Sequence, residues 1–403
     1  MKYDVIRSYW PAPQYDTATL NLDFTTGVLD SRLTFTRAAG TATYINSSGY
    51  VTTAAANVAR FDYDPVTLAP RGLLIEGSAI NLMTYSEDQG NNSTWNAYST
   101  SVTRTTGQTD PENTTTATKI LFDATSADAV ISRSVTISNA TAYTISVWMR
   151  ADSGTVSNVR FGRAATASGA IFPTLTTTWQ RVQLAFTSSG TSDGIEIRVL
   201  TSGSPKTATI HIWGAQLEAG SGASSYIPTV ASQVTRNPDY LLSTSSGART
   251  EFSIDDLAAG TSALNAHTVF WTYGRDPNSK RDYPASLYAR TNANTERIDL
   301  RDFSGTTVEV GTQTRTVQAV TVGTASIVKI AVAQSTSAYP SSAINGTSAT
   351  LTSGVIDSAL GLQWVQLCNS SAVASSFNPI WARQLKVYPT ALTAAQLQTL
   401  TAL

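Results

Sequence analysis

The chain has 403 residues, 14% of them charged and 41% hydrophobic, with a formal net charge of −1. That length exceeds a single core and implies two or three domains, while near-neutral charge without a basic cluster excludes a phosphate-neutralising nucleic-acid surface. One cysteine, Cys368, cannot close a disulfide within the chain, and no stretch reaches the ~18 apolar residues of a membrane span, so no membrane insertion is expected.

Ser/Thr abundance with many short Val/Ile/Tyr/Phe runs favours strands and turns over helices, so the expected fold class is all-β. The opening Met1–Arg7 has no apolar stretch behind its basic residue and does not read as a secretory leader; a soluble product of a cytoplasm is expected. Residues 1–20 carry Tyr3, Tyr9, Trp10 and Tyr15 with Pro11 and Pro13, and no periodicity. Rings on a free tail expose apolar surface, so this arm lies on its own domain or anchors in a partner protein, with disorder as the third alternative. The four aromatics are the candidate docking residues.

Residues 21–85 read as a wrapping β subdomain without an obvious core. Leu20–Thr25 alternates as a strand. Thr41–Thr53 is a β-hairpin with Gly49 available for positive φ at the turn. Arg60–Pro65 alternates charge and aromatic, and Pro70–Glu76 is a short apolar strand.

Residues 86–236 read as strands at Ala117–Phe122, Ala129–Ile137, Ala142–Arg150, Asn158–Arg163, Gln180–Phe186, Gly194–Thr201 and Thr209–Trp213, the spacing of a jelly-roll sandwich. One phase is apolar throughout (Ile145, Val147, Met149; Ile195, Ile197, Val199; Ile210, Ile212) and belongs to the core. The opposite phase carries Trp148, Arg150, Arg181, Glu196, Arg198, His211 and Trp213. If these strands are neighbours, one face presents two indoles among arginines, a carboxylate and an imidazole, a platform on which sugar rings stack and hydroxyls are read. The bland alternative is that residues 20–85 cover this face and bury both tryptophans. Trp95 and Trp179 sit near loop or strand ends and are weaker candidates. After Trp213 a Gly/Ser/Ala turn leads to Ser225-Tyr226-Ile227-Pro228, extended because it precedes proline.

The run Leu22-Asp23-Phe24, Leu33–Arg37, Ala42–Gly49, Phe61–Pro65, Gly72–Gly77 and Asn81–Glu87, with the ending Trp213–Glu218 and Ser225–Thr229, resembles a recurrent module of tailed-bacteriophage virion proteins. There it precedes and includes a carbohydrate-binding-module-like jelly roll, and here the resemblance covers residues 20–236. It implies a virion structural protein of the tail-fibre or head-fibre kind, assembled in the host bacterial cytoplasm. Its partners would be other virion proteins, host surface glycan, and copies of itself as a homotrimer. No heptad seam supports the trimer independently.

Residues 237–403 restart as strands at His267–Tyr273, Ala285–Arg290, Glu296–Phe303, Thr306–Thr312, Ser326–Gln334, Ala343–Leu351, Gln363–Cys368 and Trp381–Pro389. Asn345-Gly346 marks a tight turn, and Thr393 caps a short terminal helix. The ending resembles concanavalin-like or laminin-G-like sandwiches, whose calcium sites use loop carboxylates. Here Asp276, Asp282, Asp299, Asp302 and Asp357 are scattered, so no metal is expected.

Two histidines, His211 and His267, with one cysteine supply no zinc spacing. There is no nucleophile elbow, phosphate loop or dinucleotide fingerprint. No cofactor and no catalysis are expected. The expected role is a tail fibre or receptor-binding appendage that docks by its N-terminus; a head-decoration protein is the alternative, and a glycan hydrolase trails, since paired carboxylates need only be close in space.

Overall fold

The computed structural model describes residues 18–97, 101–166, 168–243, 251–253, 266–275, 281–288, 297–302, 307–312, 315–323, 325–334, 341–350, 364–367 and 379–402. The arm residues Tyr3, Tyr9, Trp10 and Tyr15, and also Cys368, Asp276 and Asp357, lie outside them. The chain is all-β, and Ala394–Thr401 is the one helix among the described residues.

The middle of the chain is a jelly roll of two antiparallel sheets. One runs in the order Gln180–Thr187, Ala142–Ala151, Thr207–Ala219, Ala117–Asp123, Val102–Gln108; the other runs Arg160–Arg163, Ser192–Val199, Ala129–Thr136, Asn96–Ala97. Ile145, Val147, Met149, Ile195, Ile197, Val199, Ile210 and Ile212 fill the space between them, so the alternating apolar phase does mark the core. Val102–Gln108 carries no such phase, because it is an edge strand whose Thr103, Thr105 and Thr106 are exposed.

The last jelly-roll strand runs on to Ala219, well past the turn expected after Trp213. Its pairing with Ala142–Ala151 slips between Ser146 and Trp148, a β-bulge centred on Gly214, which has φ +64°. The extra residue moves the inward phase by one position. Ile210 and Ile212 before it, and Ala215 and Leu217 after it, all reach the same core. A strict period of two breaks there, which is why the sequence pattern ends the strand early.

The flanking segments build a second body together. An eight-stranded sheet runs Thr347–Thr350, Ser341–Ile344, Ile327–Gln334, His267–Gly274, Ile380–Tyr388, Pro70–Ile75, Phe61–Tyr63, and Leu20–Asp23 also pairs with Ile380–Tyr388. The segment 20–85 therefore shares its core with residues 237–403: Leu20, Leu22, Phe24, Leu73 and Ile75 pack with Val269, Trp271, Val328, Ile330, Leu385 and Val387. A six-stranded sheet lies between Glu251 and Leu367, and Val320 from its last strand packs on the same core. Asn345 and Gly346, both with positive φ, turn the hairpin between Ser341–Ile344 and Thr347–Thr350 as expected. The terminal helix has a capping box between Thr393 and Gln396 and buries Leu397 against Phe270 and Tyr388.

The jelly roll is thus an insertion. The chain enters it through Ala79–Asn81 and leaves through Val234–Arg236, and these two strands pair with each other. Tyr240–Leu242 then pairs back onto Thr34–Thr36.

Candidate functional site

The expected seven-residue platform is not formed. Trp148, Arg150, Arg181, His211 and Trp213 share the outer face of the five-stranded sheet, with Trp148 opposite Trp213 and Arg150 opposite His211. Glu196 and Arg198 lie on the other sheet, where Glu196 pairs with Arg160 at 2.8 Å and with Arg198 at 2.7 Å. Equal phase does not imply an equal face when strands belong to opposite sheets.

The two indoles are covered. Trp213 is 0% and Trp148 7% exposed. Ile45 and Val51, from the hairpin Ala42–Ile45 and Val51–Ala54, pack over them with Tyr226. The bland alternative of the sequence reading thus describes the geometry. Gly49 turns this hairpin with φ +84°, and Asn46 Oδ1 accepts from the amides of Ser48 and Tyr50.

The motif that carried the resemblance is a lock between strand and exit segment. Tyr226 lies 4.6 Å from Trp213, ring centre to ring centre. A Cβ at Gly214 would meet Trp148 at 3.2 Å and Tyr226 at 3.3 Å, so glycine lets both rings close on the bulge. Gln216 Oε1 accepts from the Ile227 amide, and Glu218 accepts from the Ser224 amide and hydroxyl. Trp213 Nε1 donates to Thr116, and the Tyr226 hydroxyl donates to Glu87. These residues satisfy one another and hold Ser224–Thr229 down.

Beside this lock is a fully buried charge cluster. Glu76 bonds Arg60 and Arg236, and Asp239 bonds Arg37 and Arg60, with all five side chains at 1% exposure or less. Burial alone pushes the Glu76 carboxyl up, but Arg236 and Arg60, with Ser225, hold it down at about 2. The cluster joins segment 37–76, the jelly-roll exit at Ser225 and the return at Arg236–Asp239. No sequence spacing marked it, because its members are far apart along the chain.

At the edge of the sheet face, Trp179 remains half-buried. Arg150 stacks 5.3 Å from its ring centre, and His211 meets it edge-on at 6.4 Å. His211 Nε2 lies 2.7 Å from Asp152 and Nδ1 3.2 Å from Arg150, so the neutral imidazole donates to the carboxylate and accepts from the guanidinium. Burial lowers the His211 pKa, and Arg150 adds to this against the pull of Asp152. This histidine orients its neighbours and is neutral near pH 7. Trp95 is buried, donating to the Tyr85 carbonyl.

Trp179 opens onto a cleft of about 770 Å³ between the jelly roll and the second body. One wall is Trp179, Gln180, Arg181 and Gln183. The facing walls carry Tyr44 from the covering hairpin and Trp381 and Arg383 from the strand Ile380–Tyr388. Asp62 fastens the far side: it accepts from the Ile45 amide at 2.6 Å and from Trp381 Nε1 at 2.7 Å. Burial pushes its carboxyl up to about 6, against those two donors and the Arg71 charge. Three half-buried aromatic rings among amide and guanidinium donors suit a ligand with apolar ring faces and polar rims. Of the expected residues, Trp148 and Arg181 line this cleft. Trp381 was not singled out in the sequence, although Trp179-Gln180-Arg181 and Trp381-Ala382-Arg383 repeat one Trp-x-Arg pattern. Among the described residues, no group of three His, Cys, Asp or Glu side chains is placed to hold a metal ion.

Residues 81–207 match the family model of a carbohydrate binding domain. The match starts at Asn81, whose amide bonds the carbonyls of Ala215 and Ile227, and covers the Trp179 wall of the cleft. No curated protein sequence matches the chain. Among solved structures the chain is similar to the CBM40 domain of a Ruminococcus gnavus sialidase bound to alpha2,6 sialyllactose, at 13% identity over 34% of this chain and 83% of that one, with a TM-score of 0.28. It is similar to the CBM22-1 xylan-binding domain of Paenibacillus barcinonensis at 14% identity, over 34% of this chain and 94% of that one, with a TM-score of 0.27. It is also similar to the enzymatically active domain of a bacteriophage CBA120 tailspike at 16% identity, over 34% of this chain and 21% of that one, with a TM-score of 0.27.

Proposed function

We propose that this protein binds a glycan in the cleft between its jelly roll and its second body, and that it does so as a virion appendage that recognises the surface of a bacterial host. The observation that carries the binding role is the carbohydrate-binding-domain match over residues 81–207, which supplies the Trp179 wall of an open, ring-lined cleft. The sheet face first read as the platform is closed, so the ligand uses the gap beside it. Binding without turnover fits the described residues of this cleft: its carboxylates Asp62, Asp64 and Glu76 are all engaged by donors from the protein itself. The placement on a phage particle rests on the sequence resemblance of residues 20–236, and the arm at Tyr3, Tyr9, Trp10 and Tyr15 would be its anchor.

The test is a glycan array with the intact protein and with Trp179→Ala. Trp179 is half-buried at the rim, so its loss should weaken binding by about tenfold or more while the melting temperature stays close to wild type. Binding unaffected by Trp179→Ala would exclude the cleft as the site. For the virion role, particles carrying a deletion of residues 1–20 should lack the protein; normal incorporation would remove the anchor.

A further inference from the structure

The cleft carries two guanidiniums that no carboxylate pairs with directly. Trp-x-Arg occurs at Trp179-Gln180-Arg181 on the jelly-roll wall and at Trp381-Ala382-Arg383 on the opposite body. In extended backbone a spacing of two sends an indole and a guanidinium to the same side, and all four side chains line the cleft. Arg181 donates to the Ser224 carbonyl and to Ser146 Oγ. Arg383 donates to the carbonyls of Pro70 and Arg71 at 2.9 Å. Neither forms an ion pair among the described residues.

The lining carboxylates are all committed elsewhere. Asp64 holds Arg71 at 3.0 Å, Asp62 takes Ile45 and Trp381, and Glu76 is enclosed by Arg60 and Arg236. Glu218 and Glu76 attract Arg181, and Asp23 attracts Arg383, through space without pairing with them. Glu218 spends its oxygens on Gln216 and Ser224, and Asp23 accepts from Thr25. Burial lowers the pKa of both guanidiniums. A cation partly stripped of water without a directly paired carboxylate is unfavourable in the free protein, and a ligand anion in contact with it relieves this.

We propose that the ligand is an acidic glycan, whose anionic substituents meet Arg181 on one wall and Arg383 on the other while its ring faces rest on Trp179 and Trp381. This rests on the glycan-binding reading above and narrows it to a chemical class. Carboxylate, sulfate and phosphate groups share the geometry that a guanidinium reads.

The experiment is an array bearing neutral, uronate, sialate, sulfated and phosphorylated oligosaccharides, probed with the intact protein. Hits confined to acidic members are expected, and the acid group among them identifies the source of the anion. Binding should weaken about tenfold or more as salt rises from roughly 0.1 M to 1 M, where the screening length falls from ~10 to ~3 Å. Arg383→Gln should weaken acidic hits by about tenfold, with a thermal melt as the control for folding. The salt series on wild type tests the same point if that variant fails to fold. Neutral hits of equal strength, or salt-insensitive binding, overturn the acidic assignment and leave glycan binding standing. Silence across the whole array overturns both.

Discussion

Residues 237–403 expressed alone should not form the body they occupy in the full chain. The strand Ile380–Tyr388 pairs on one side with His267–Gly274 and on the other with Leu20–Asp23 and Pro70–Ile75. Cutting at residue 237 strips that second side of its hydrogen bonds. It also removes Leu20, Leu22, Phe24, Leu33, Phe35, Leu73 and Ile75 from the core. Each of these side chains contributes ~1.5–3 kcal/mol of burial, so the upper estimate of the loss is roughly 10–20 kcal/mol. That meets or exceeds the about 5–15 kcal/mol by which a whole domain is stable. The assay is size exclusion and circular dichroism of the fragment, beside a chain in which residues 82–233 are replaced by a short Gly/Ser turn. The fragment should aggregate or lack a cooperative melt, whereas the excised chain should melt cooperatively, since Ala79–Asn81 and Val234–Arg236 already lie side by side. A monomeric, cooperatively melting 237–403 fragment would refute the shared-sheet argument.

Three further predictions follow from the closed parts of the molecule. Glu76→Gln leaves Arg60 and Arg236 buried without their shared carboxylate and should cost about 3–5 kcal/mol in urea denaturation; a cost below about 1 kcal/mol would show that the cluster is dispensable. Trp213→Ala removes a fully buried indole and should cost about 3–5 kcal/mol, in contrast to the mild effect of Trp179→Ala, so equal melts for the two would contradict the assignment of lock and rim. The two buried carboxylates should pull stability in opposite directions with pH. Glu76, held near 2 against an ordinary 4.5, favours the fold above pH 4.5 and loses that contribution as pH falls toward 2. Asp62, raised from 3.8 to about 6, favours the fold in its protonated form and loses that contribution as pH rises through 6. The stability of wild type relative to Asp62→Asn should therefore rise between pH ~7 and ~4, by about 3 kcal/mol at most. A difference that stays flat across that range would mean Asp62 is not desolvated.

Local pattern was readable wherever a rule acts over a few residues. The hairpin at Gly49, the turn at Asn345-Gly346 and the Thr393 cap each need one residue type at one position, and each stands where the pattern put it. The apolar phase of the jelly roll was equally plain. What stayed hidden depends on which strands become neighbours. Glu196 and His211 share a phase yet sit on different sheets, and Gly214 breaks a period that the strand itself continues. Trp381 became relevant only because residues 61–75 pair beside it, and the sequence says nothing local about that pairing. The signature Trp213–Glu218 with Ser225–Thr229 was legible as a motif, but its work is to fasten the chain to itself.

The inserted arrangement also sets an order of events during synthesis. Thr19 finds its backbone partner in Val387, 368 positions later. The early strands leave the ribosome long before the neighbour that completes them exists, while the jelly roll between them can close on its own local contacts. Until the final strand arrives, their unpaired edges and apolar faces stand open to any passing chain, so premature termination downstream of the insertion would leave an adhesive product instead of a smaller working one.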